Sequence, residues 1–420
     1  MKRQKSIRER CHVNGNAEGD RFVGLKSDAG DATVCFPIGY HLPSNDNDLR
    51  ADIIHLLRVL AAFMQEDKLL AKETFTATPN TAFPIYAYLK IIRNFQRTRC
   101  YYVETEPYFK TDTKGNASWP RTVRNQRAFV LKNGSAVFLQ MTVRATSPNV
   151  NKKITQIHRY CVYQAFDKMG WLYGSGMPEK PGPHPDRKES IYILEKKLAS
   201  THNDAEQELF SAMVSMLKYE DEIPSEDNYI FGTEYFEYIW QKMIDRAFGI
   251  KEKNQYFPRT RWLLNYGEKI KRPLQPDTIM VCDDKFYILD AKLYRYGCSG
   301  NPDHLPNGSD INKQITYGEH VERANNISSQ KLYNAFIMPF DKEKNIFHEG
   351  KSNKSLMTSA KDTIKNIGEA VADWKPDPQN YERVQGIVMD TRFLMYNYMD
   401  MPEQQKRKLI EEIEKVDSKK

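Results

Sequence analysis

No apolar run in this sequence approaches the ~20 residues that a membrane-spanning helix needs, so a membrane partner is not expected. The basic N-terminus MKRQKSIRER is not followed by an apolar stretch, so no secretory signal is expected and the cytoplasm is the expected compartment. Cysteine is sparse: Cys11, Cys35, Cys100, Cys161, Cys282 and Cys298 are scattered and form no C-x-x-C, which argues against a zinc cluster or a disulfide framework and for reduced thiols. The nine histidines make no H-E-x-x-H, and a single one such as His158 reads as structural. There is no G-x-x-x-x-G-K-[ST], so the chain has no phosphate-binding loop of its own. Acid is scarce between Lys90 and Arg159, where fourteen Lys and Arg face only Glu104, Glu106 and Asp112. That stretch carries +11, more than the net +7 of the whole chain. A field of that sign attracts polyanions, although a solvated basic face with no partner has the same charge.

What is present suits a chain of two or three domains, with 420 residues, 40% hydrophobic, 28% charged and mean hydropathy −0.68. Residues 1–20 are polar and expected to be disordered. Phe22 to Leu25 and Thr33 to Phe36 read as short strands. Ile53, Leu56, Leu57, Leu60 and Phe63 fall at three- and four-residue steps, which predicts a helix over about 49–64. A second helix is expected over 84–99. From Tyr101 to Thr146 the residues are β-branched and aromatic, as in strands, with TKGNASWPRTV as a loop. Helices follow over 154–169 and 194–219. The charged segment EDEIPSEDN marks a boundary near 220–228. The expected architecture is an N-terminal α+β domain over 21–225 and a second α/β domain over 226–420. The second opens on an amphipathic helix, Tyr235 to Phe248, and ends on a charged one, Glu403 to Val416.

The chemistry lies in LQPDTIMVCDDKFYILDAKLY, residues 274–294. If Asp283-Asp284 form a two-residue turn, residues pair when their numbers sum to 567. Asp277 then lies opposite Asp290, on one face, with Cβ atoms ~4.5–5.5 Å apart. Lys292 points to the same face, opposite Gln275. A turn one residue longer shifts this register but keeps the group together. The neighbours Ile279, Met280, Val281, Phe286, Ile288 and Leu289 imply a buried strand pair, where carboxylates are costly to leave unpaired. A hard divalent cation resolves that cost. Mg²⁺, with Mn²⁺ as a substitute, would take oxygens from Asp277, Asp290 and the Ala291 carbonyl. Lys292 would orient or deprotonate a water, or stabilise charge on a phosphate. A structural Asp–Lys salt bridge is the competing reading.

The P-D…D-x-K order resembles the PD-(D/E)xK nuclease superfamily, whose motif sits on a β-hairpin of a mixed sheet flanked by helices. Gln314-Ile315-Thr316-Tyr317 is similar to the Q-x-x-Y helix of its RecB-like members, which implies a role for Gln314 at the site. In that superfamily an acidic residue on the preceding helix often joins the metal. FGTEYFEYIWQKMIDRAF offers Glu234 and Glu237, with Glu237 preferred. FVGL, FPIGY, KGNASWPRTV, ITQIHRYCVY, GWLYG and LPNGSDINKQITY together resemble the LlaJI family of restriction endonucleases, which is similar to McrC. Gln241 stands where that pattern has a glutamate. The resemblance implies Mg²⁺-dependent cleavage of double-stranded DNA, a McrB-like AAA+ GTPase partner and a DNA methyltransferase encoded nearby. It also implies that Lys114, Arg121, Arg124 and Arg127 contact either that partner or DNA. A RecB-like repair or recombination nuclease is the alternative, and a non-catalytic adaptor a third.

Overall fold

The computed structural model describes residues 5–28, 31–66, 83–174, 176–183, 185–222, 229–271, 273–344, 346–348 and 362–415. They form two units, one made of residues 1–82 with 227–420 and the other of 83–226. This departs from the expected division, because the described residues of 21–66 pack with the C-terminal part rather than with 83–225. Among the described residues no helix is long and apolar enough to cross a membrane. All six cysteines are free thiols.

The first unit begins with strands β1 (Cys11–Val13), β2 (Val23–Asp28) and β3 (Asp31–Phe36) and helix α1 (Asp46–Glu66). The expected disorder is therefore corrected for residues 5–20, while residues 1–4 lie outside the described residues. β1 pairs in parallel with β3 from Cys11↔Val34 to Val13↔Phe36, a tertiary partner that a local reading of a short polar segment does not supply. The helical stripe expected in α1 is buried throughout, from Ile53 to Phe63.

The second unit holds α2 (Ile85–Thr98), β4 (Glu104–Asp112), α3 (Trp119–Asn125), β5 (Ala128–Val130), β6 (Ala136–Phe138), β7 (Met141–Asn149), α4 (Lys153–Met169), α5 (Arg187–Ser200) and α6 (Asp204–Glu222). β4 and β7 make a long antiparallel ribbon, Glu104↔Asn149 to Asp112↔Met141. The four longer helices bury Tyr88, Ile92, Tyr160, Phe166, Phe210 and Leu217. Two expectations change here. The loop over 113–123 contains α3, whose Ser118-Trp119-Pro120 start places proline in the first turn, where its missing N–H costs nothing. The single helix expected over 194–219 is two, because the Asn203 side chain accepts from the Ala205 and Glu206 amides and restarts the chain as a new helix.

The first unit resumes with β8 (Tyr229–Thr233), α7 (Phe236–Phe248), β9 (Arg261–Leu264), β10 (Gly267–Ile270), β11 (Thr278–Cys282), β12 (Lys285–Ala291), α8 (Tyr296–Ser299), α9 (Gly308–Asn325), β13 (Leu332–Phe340), β14 (Ile364–Ala370), β15 (Val384–Asp390), α10 (Thr391–Asn397) and α11 (Glu403–Glu414). Its main sheet is mixed, in the order β11-β12-β13-β15-β14. The β12–β13 and β13–β15 pairs are parallel, and both edges are antiparallel. β13 lies at the centre and all nine of its residues are buried. A second sheet runs β1-β3-β2-β8, joining the two ends of the unit. Its strands come unusually close. A Cβ on Gly24 would stand 2.2 Å from the Phe231 carbonyl oxygen, and one on Gly232 2.2 Å from that of Val23. Gly24 also has φ +141°, so both the spacing and the backbone require glycine there. Asp52, fully buried in α1, receives both Arg392 Nε and Nη2, at 2.8 and 2.9 Å, which ties α1 to α10.

Candidate active site

The hairpin that carries the candidate chemistry turns on Asp283-Asp284, both with positive φ, +48° and +59°. This is the backbone of a two-residue hairpin turn whose twist matches the strands, and aspartate tolerates it. The register runs from Cys282↔Lys285 to Thr278↔Leu289, so each pair sums to 567 and Asp277 comes opposite Asp290. Asp277 lies just outside the strand, and its Oδ2 accepts from the Ala291 N–H at 2.9 Å. Asp290 is buried near the end of β12, where it pairs with Phe336 of β13.

Lys292 leaves the strand on a bond from its own N–H to the Ile337 carbonyl, 2.9 Å, and Trp240 Nε1 of α7 donates to the same carbonyl at 3.2 Å. Its ammonium sits between two carboxylates, 2.8 Å from Asp290 Oδ2 and 2.9 Å from Asp310 Oδ1. Asp310 is the third residue of α9 and closes a capping box with Asn307. Its Oδ2 also accepts from Tyr294 Oη at 3.0 Å. Asp277, Asp290, Lys292 and Asp310 thus form one connected group at the end of β12 and the start of α9.

The electrostatics of the group are uneven. Burial pushes the Asp277 carboxyl up, and the Asp290 carboxylate beside it pushes in the same direction, against the Ala291 N–H and Lys292. Burial works against the Lys292 ammonium, but Asp290 and then Asp310 outweigh it, so its pKa is raised. Burial likewise raises Asp310, and Lys292 and Tyr294 overcome it, leaving that carboxyl below its ordinary value. Lys292 is therefore held as a cation at neutral pH. That favours stabilising charge or orienting a water over removing a proton.

The buried Asp290 carboxylate facing the half-buried Asp277, which it destabilises, suits a hard divalent cation. The donor set of Asp277 and Asp290 with the adjacent Ala291 carbonyl is all oxygen, as Mg²⁺ prefers. Glu237 is not brought into it. It is half-buried in the first turn of α7, whose apolar stripe of Phe236, Ile239, Trp240, Met243 and Ile244 is what the helix buries. Among the described residues no three His, Cys, Asp or Glu side chains gather as a metal site, so neither Glu234 nor Glu237 completes a carboxylate triad. Gln314 also goes elsewhere. Its Nε2 donates to the Ile288 carbonyl at 2.8 Å and it is bracketed by Asn334, whose Nδ2 donates to the Gln314 carbonyl at 2.8 Å. It braces α9 against the sheet. Three residues on, Tyr317 Oη donates to the Gln275 carbonyl at 3.1 Å and so steadies the approach to Asp277.

Residues 22–360 match the family model described as LlaJI restriction endonuclease. The chain belongs to the LlaJI restriction endonuclease family. No curated protein sequence matches it. Among solved structures it is similar to McrC bound to McrB AAA+ hexamers of Thermococcus gammatolerans, in a half-complex refined from a tetradecameric assembly. That likeness has 11% identity and a TM-score of 0.36, and covers 90% of this chain and 81% of that one.

In this LlaJI-family chain the site residue that sequence reasoning missed is Asp310. The signal for its place was present, since Asn307-Gly308-Ser309-Asp310 is a helix start with an acid at the third position. Its contact with Lys292 is tertiary and has no local signature. The basic residues of the other unit, Lys114, Arg121, Arg124 and Arg127, are all exposed. Arg121 and Arg124 lie on α3, and the Arg121 guanidinium stacks 3.7 Å over the Phe109 ring of β4. Around them Trp119, Val123, Phe129, Val130 and Leu139 are exposed as well.

Proposed function

We propose that the chain is a Mg²⁺-dependent endonuclease of the PD-(D/E)xK type that hydrolyses phosphodiester bonds of double-stranded DNA. The observation that carries this reading is the opposition of Asp277 and Asp290 on one hairpin, with the Lys292 ammonium 2.8 Å from Asp290. Asp277, Asp290 and the Ala291 carbonyl would hold the cation. When bound, Mg²⁺ supplies a Lewis acid for a phosphate oxygen and a water of lowered pKa. The chain's own part is to fix that geometry and to place a permanent positive charge where negative charge builds on phosphorus. Lys292 provides the charge, and Asp310 aims it. Trp240, through the Ile337 carbonyl it shares with Lys292, holds the backbone of that lysine.

The experiment is cleavage of plasmid and linear duplex DNA by the purified chain with Mg²⁺ or Mn²⁺, alone and with its GTPase partner. Asp277→Ala and Asp290→Ala are expected to abolish cleavage while leaving the circular-dichroism spectrum and DNA retention unchanged. Full activity in either variant would end the nuclease assignment.

A McrB-like AAA+ GTPase is the partner we propose. The resemblance of the KGNASWPRTV block to McrC and the lack of a phosphate-binding loop in this sequence support it. The exposed apolar and basic residues of α3 and the neighbouring strands give that partner a surface. A DNA methyltransferase that protects the host sites completes the system on this reading.

A further inference from the structure

Between α7 and the β11–β12 hairpin in sequence lies a second ribbon. Among the described residues β9 and β10 pair with each other and with no other strand, from Arg261↔Ile270 to Leu264↔Gly267, and every residue in both strands is exposed. Two further bonds prolong the ribbon at its base, from Lys271 N to the Thr260 carbonyl and from Leu274 N to the Pro258 carbonyl, each 2.9 Å. At the tip, Asn265 and Tyr266 make the two-residue turn. Tyr266 is 88% exposed, with Trp262 at 59% and Leu263 at 74%. An isolated two-stranded hairpin is marginally stable in water, and such a concentration of exposed apolar side chains marks a binding surface.

Charge identifies what it binds. Residues 259–271 hold Arg259, Arg261, Lys269 and Lys271 against Glu268, a net of +3. Aromatic rings interleaved with cations suit a duplex groove, the rings for base edges and sugars and the cations for phosphate. A two-stranded ribbon also fits the major groove of B-DNA, which is ~12 Å wide. The base of the ribbon at Leu274 lies three residues before Asp277 and is steadied by Tyr317 on Gln275. From there to Tyr266 is eight residues, or roughly 25 Å of reach at ~3.3 Å per residue, enough to follow a groove across one duplex.

We propose that the Arg261–Ile270 ribbon is a DNA-engaging arm that enters a groove of double-stranded DNA and holds the duplex over Asp277 and Asp290. Trp262 and Tyr266 contact bases and sugars, and Arg259, Lys269 and Lys271 contact phosphates. The inference rests on the nuclease reading for the purpose of the arm, and on the ribbon alone for its ligand.

The test is fluorescence anisotropy of a labelled 30-base-pair duplex with the full chain, with Ca²⁺ in place of Mg²⁺ so that binding is measured without cleavage. The double variant Trp262→Ala/Tyr266→Ala is expected to bind at least about tenfold more weakly, because two large apolar side chains lose their burial in the groove. Its salt dependence should be unaltered and its circular dichroism that of wild type. Lys269→Ala/Lys271→Ala is expected to lower the slope of log Kd against log salt by about 2. Wild-type affinity in the aromatic variant would overturn the arm, whether or not the chain cuts DNA. So would a loss confined to GTPase-partner binding with DNA affinity intact, or failure of the wild-type chain to bind the duplex. A wild-type chain that binds through Trp262 and Tyr266 but never cuts with Mg²⁺ would uphold the arm and remove the nuclease reading.

Discussion

Asp310→Asn tests most directly whether the carboxylate pair around Lys292 aims the ammonium or merely stabilises the fold. In the wild type, Asp310 Oδ1 takes the ammonium at 2.9 Å, and Oδ2 takes Tyr294 Oη at 3.0 Å and the Asn307 N–H at 3.3 Å. Both side chains of the ion pair are only 15% exposed, so the contact is largely shielded from solvent. A hydrogen bond to a charged group contributes about 1.5–3 kcal/mol net. Asparagine keeps one acceptor, but its amide nitrogen then meets the Asn307 N–H donor to donor. If Lys292 must be aimed for the chemical step, that loss appears in the barrier. Each 1.36 kcal/mol is tenfold in rate, so kcat should fall about 10- to 100-fold. KM for DNA should change little, because no DNA contact is removed. The control is Asn307→Ala, which removes the cap and leaves the ion pair. It should cost about 1 kcal/mol of stability and leave kcat near wild type. The assay is single-turnover cleavage by the complete system, with urea unfolding of each variant alongside. Asp310→Asn with wild-type kcat would refute the positioning role. So would parallel loss of rate in the two variants.

Lys292→Ala should keep Mg²⁺ affinity by calorimetry but lose most of the cleavage rate; a loss of affinity as severe as in Asp290→Ala would show that the lysine holds the cation site together instead. His158 gives a pH dependence to the other unit. It accepts from the Tyr102 N–H at 2.8 Å, its Nε2 is buried with no hydrogen-bond partner among the described residues, and burial pushes its pKa down to about 4. The unfolded imidazole gains its proton near 6.5 and the folded one resists until about 4. Stability present above pH 6.5 is therefore lost as pH falls to 4, by about 3 kcal/mol in all. Urea midpoints across that window should show the slope, and His158→Gln should flatten it; equal slopes would assign the acid sensitivity elsewhere. Replacing Arg121, Arg124 and Arg127 with Ala should reduce stimulation of the partner's GTPase even without DNA, whereas a flatter salt dependence of DNA binding with GTPase stimulation intact would place those arginines on phosphates.

The legible parts of this molecule were those governed by neighbours in sequence. The register of the β11–β12 hairpin followed from a two-aspartate turn and strand alternation, and α1 and α7 followed from their apolar spacing. Central strand β13 was not singled out, because LYNAFIMPF is buried on both faces and, apolar but for Asn334, shows no alternation. Pairings between distant residues left no local trace. The contact of Lys292 with Asp310 spans a loop and two short helical turns, and β2 meets β8 across some two hundred residues of chain. Glu237 was chosen for its place on a helix before the hairpin. Which way that helix turns is set by its much larger apolar stripe, not by one carboxylate. Gln314 was chosen from a motif, and the same spacing serves equally to brace a helix on a sheet.

The close approach of Gly24 and Gly232 also bears on the order in which this chain is made. Strands β2 and β3 leave the ribosome early, with Val23, Leu25, Val34 and Phe36 committed to a sheet that β8 must complete. At ~5–20 residues per second, β8 follows roughly 10–40 s later. During that interval residues 83–226 emerge whole and can fold on their own contacts, while the first strands wait with an open edge. A fragment starting at residue 226 would carry Asp277, Asp290, Lys292 and Asp310 yet lack the strand on which β8 is laid. The unit that holds the candidate site is thus compact in space but not a contiguous piece of its gene.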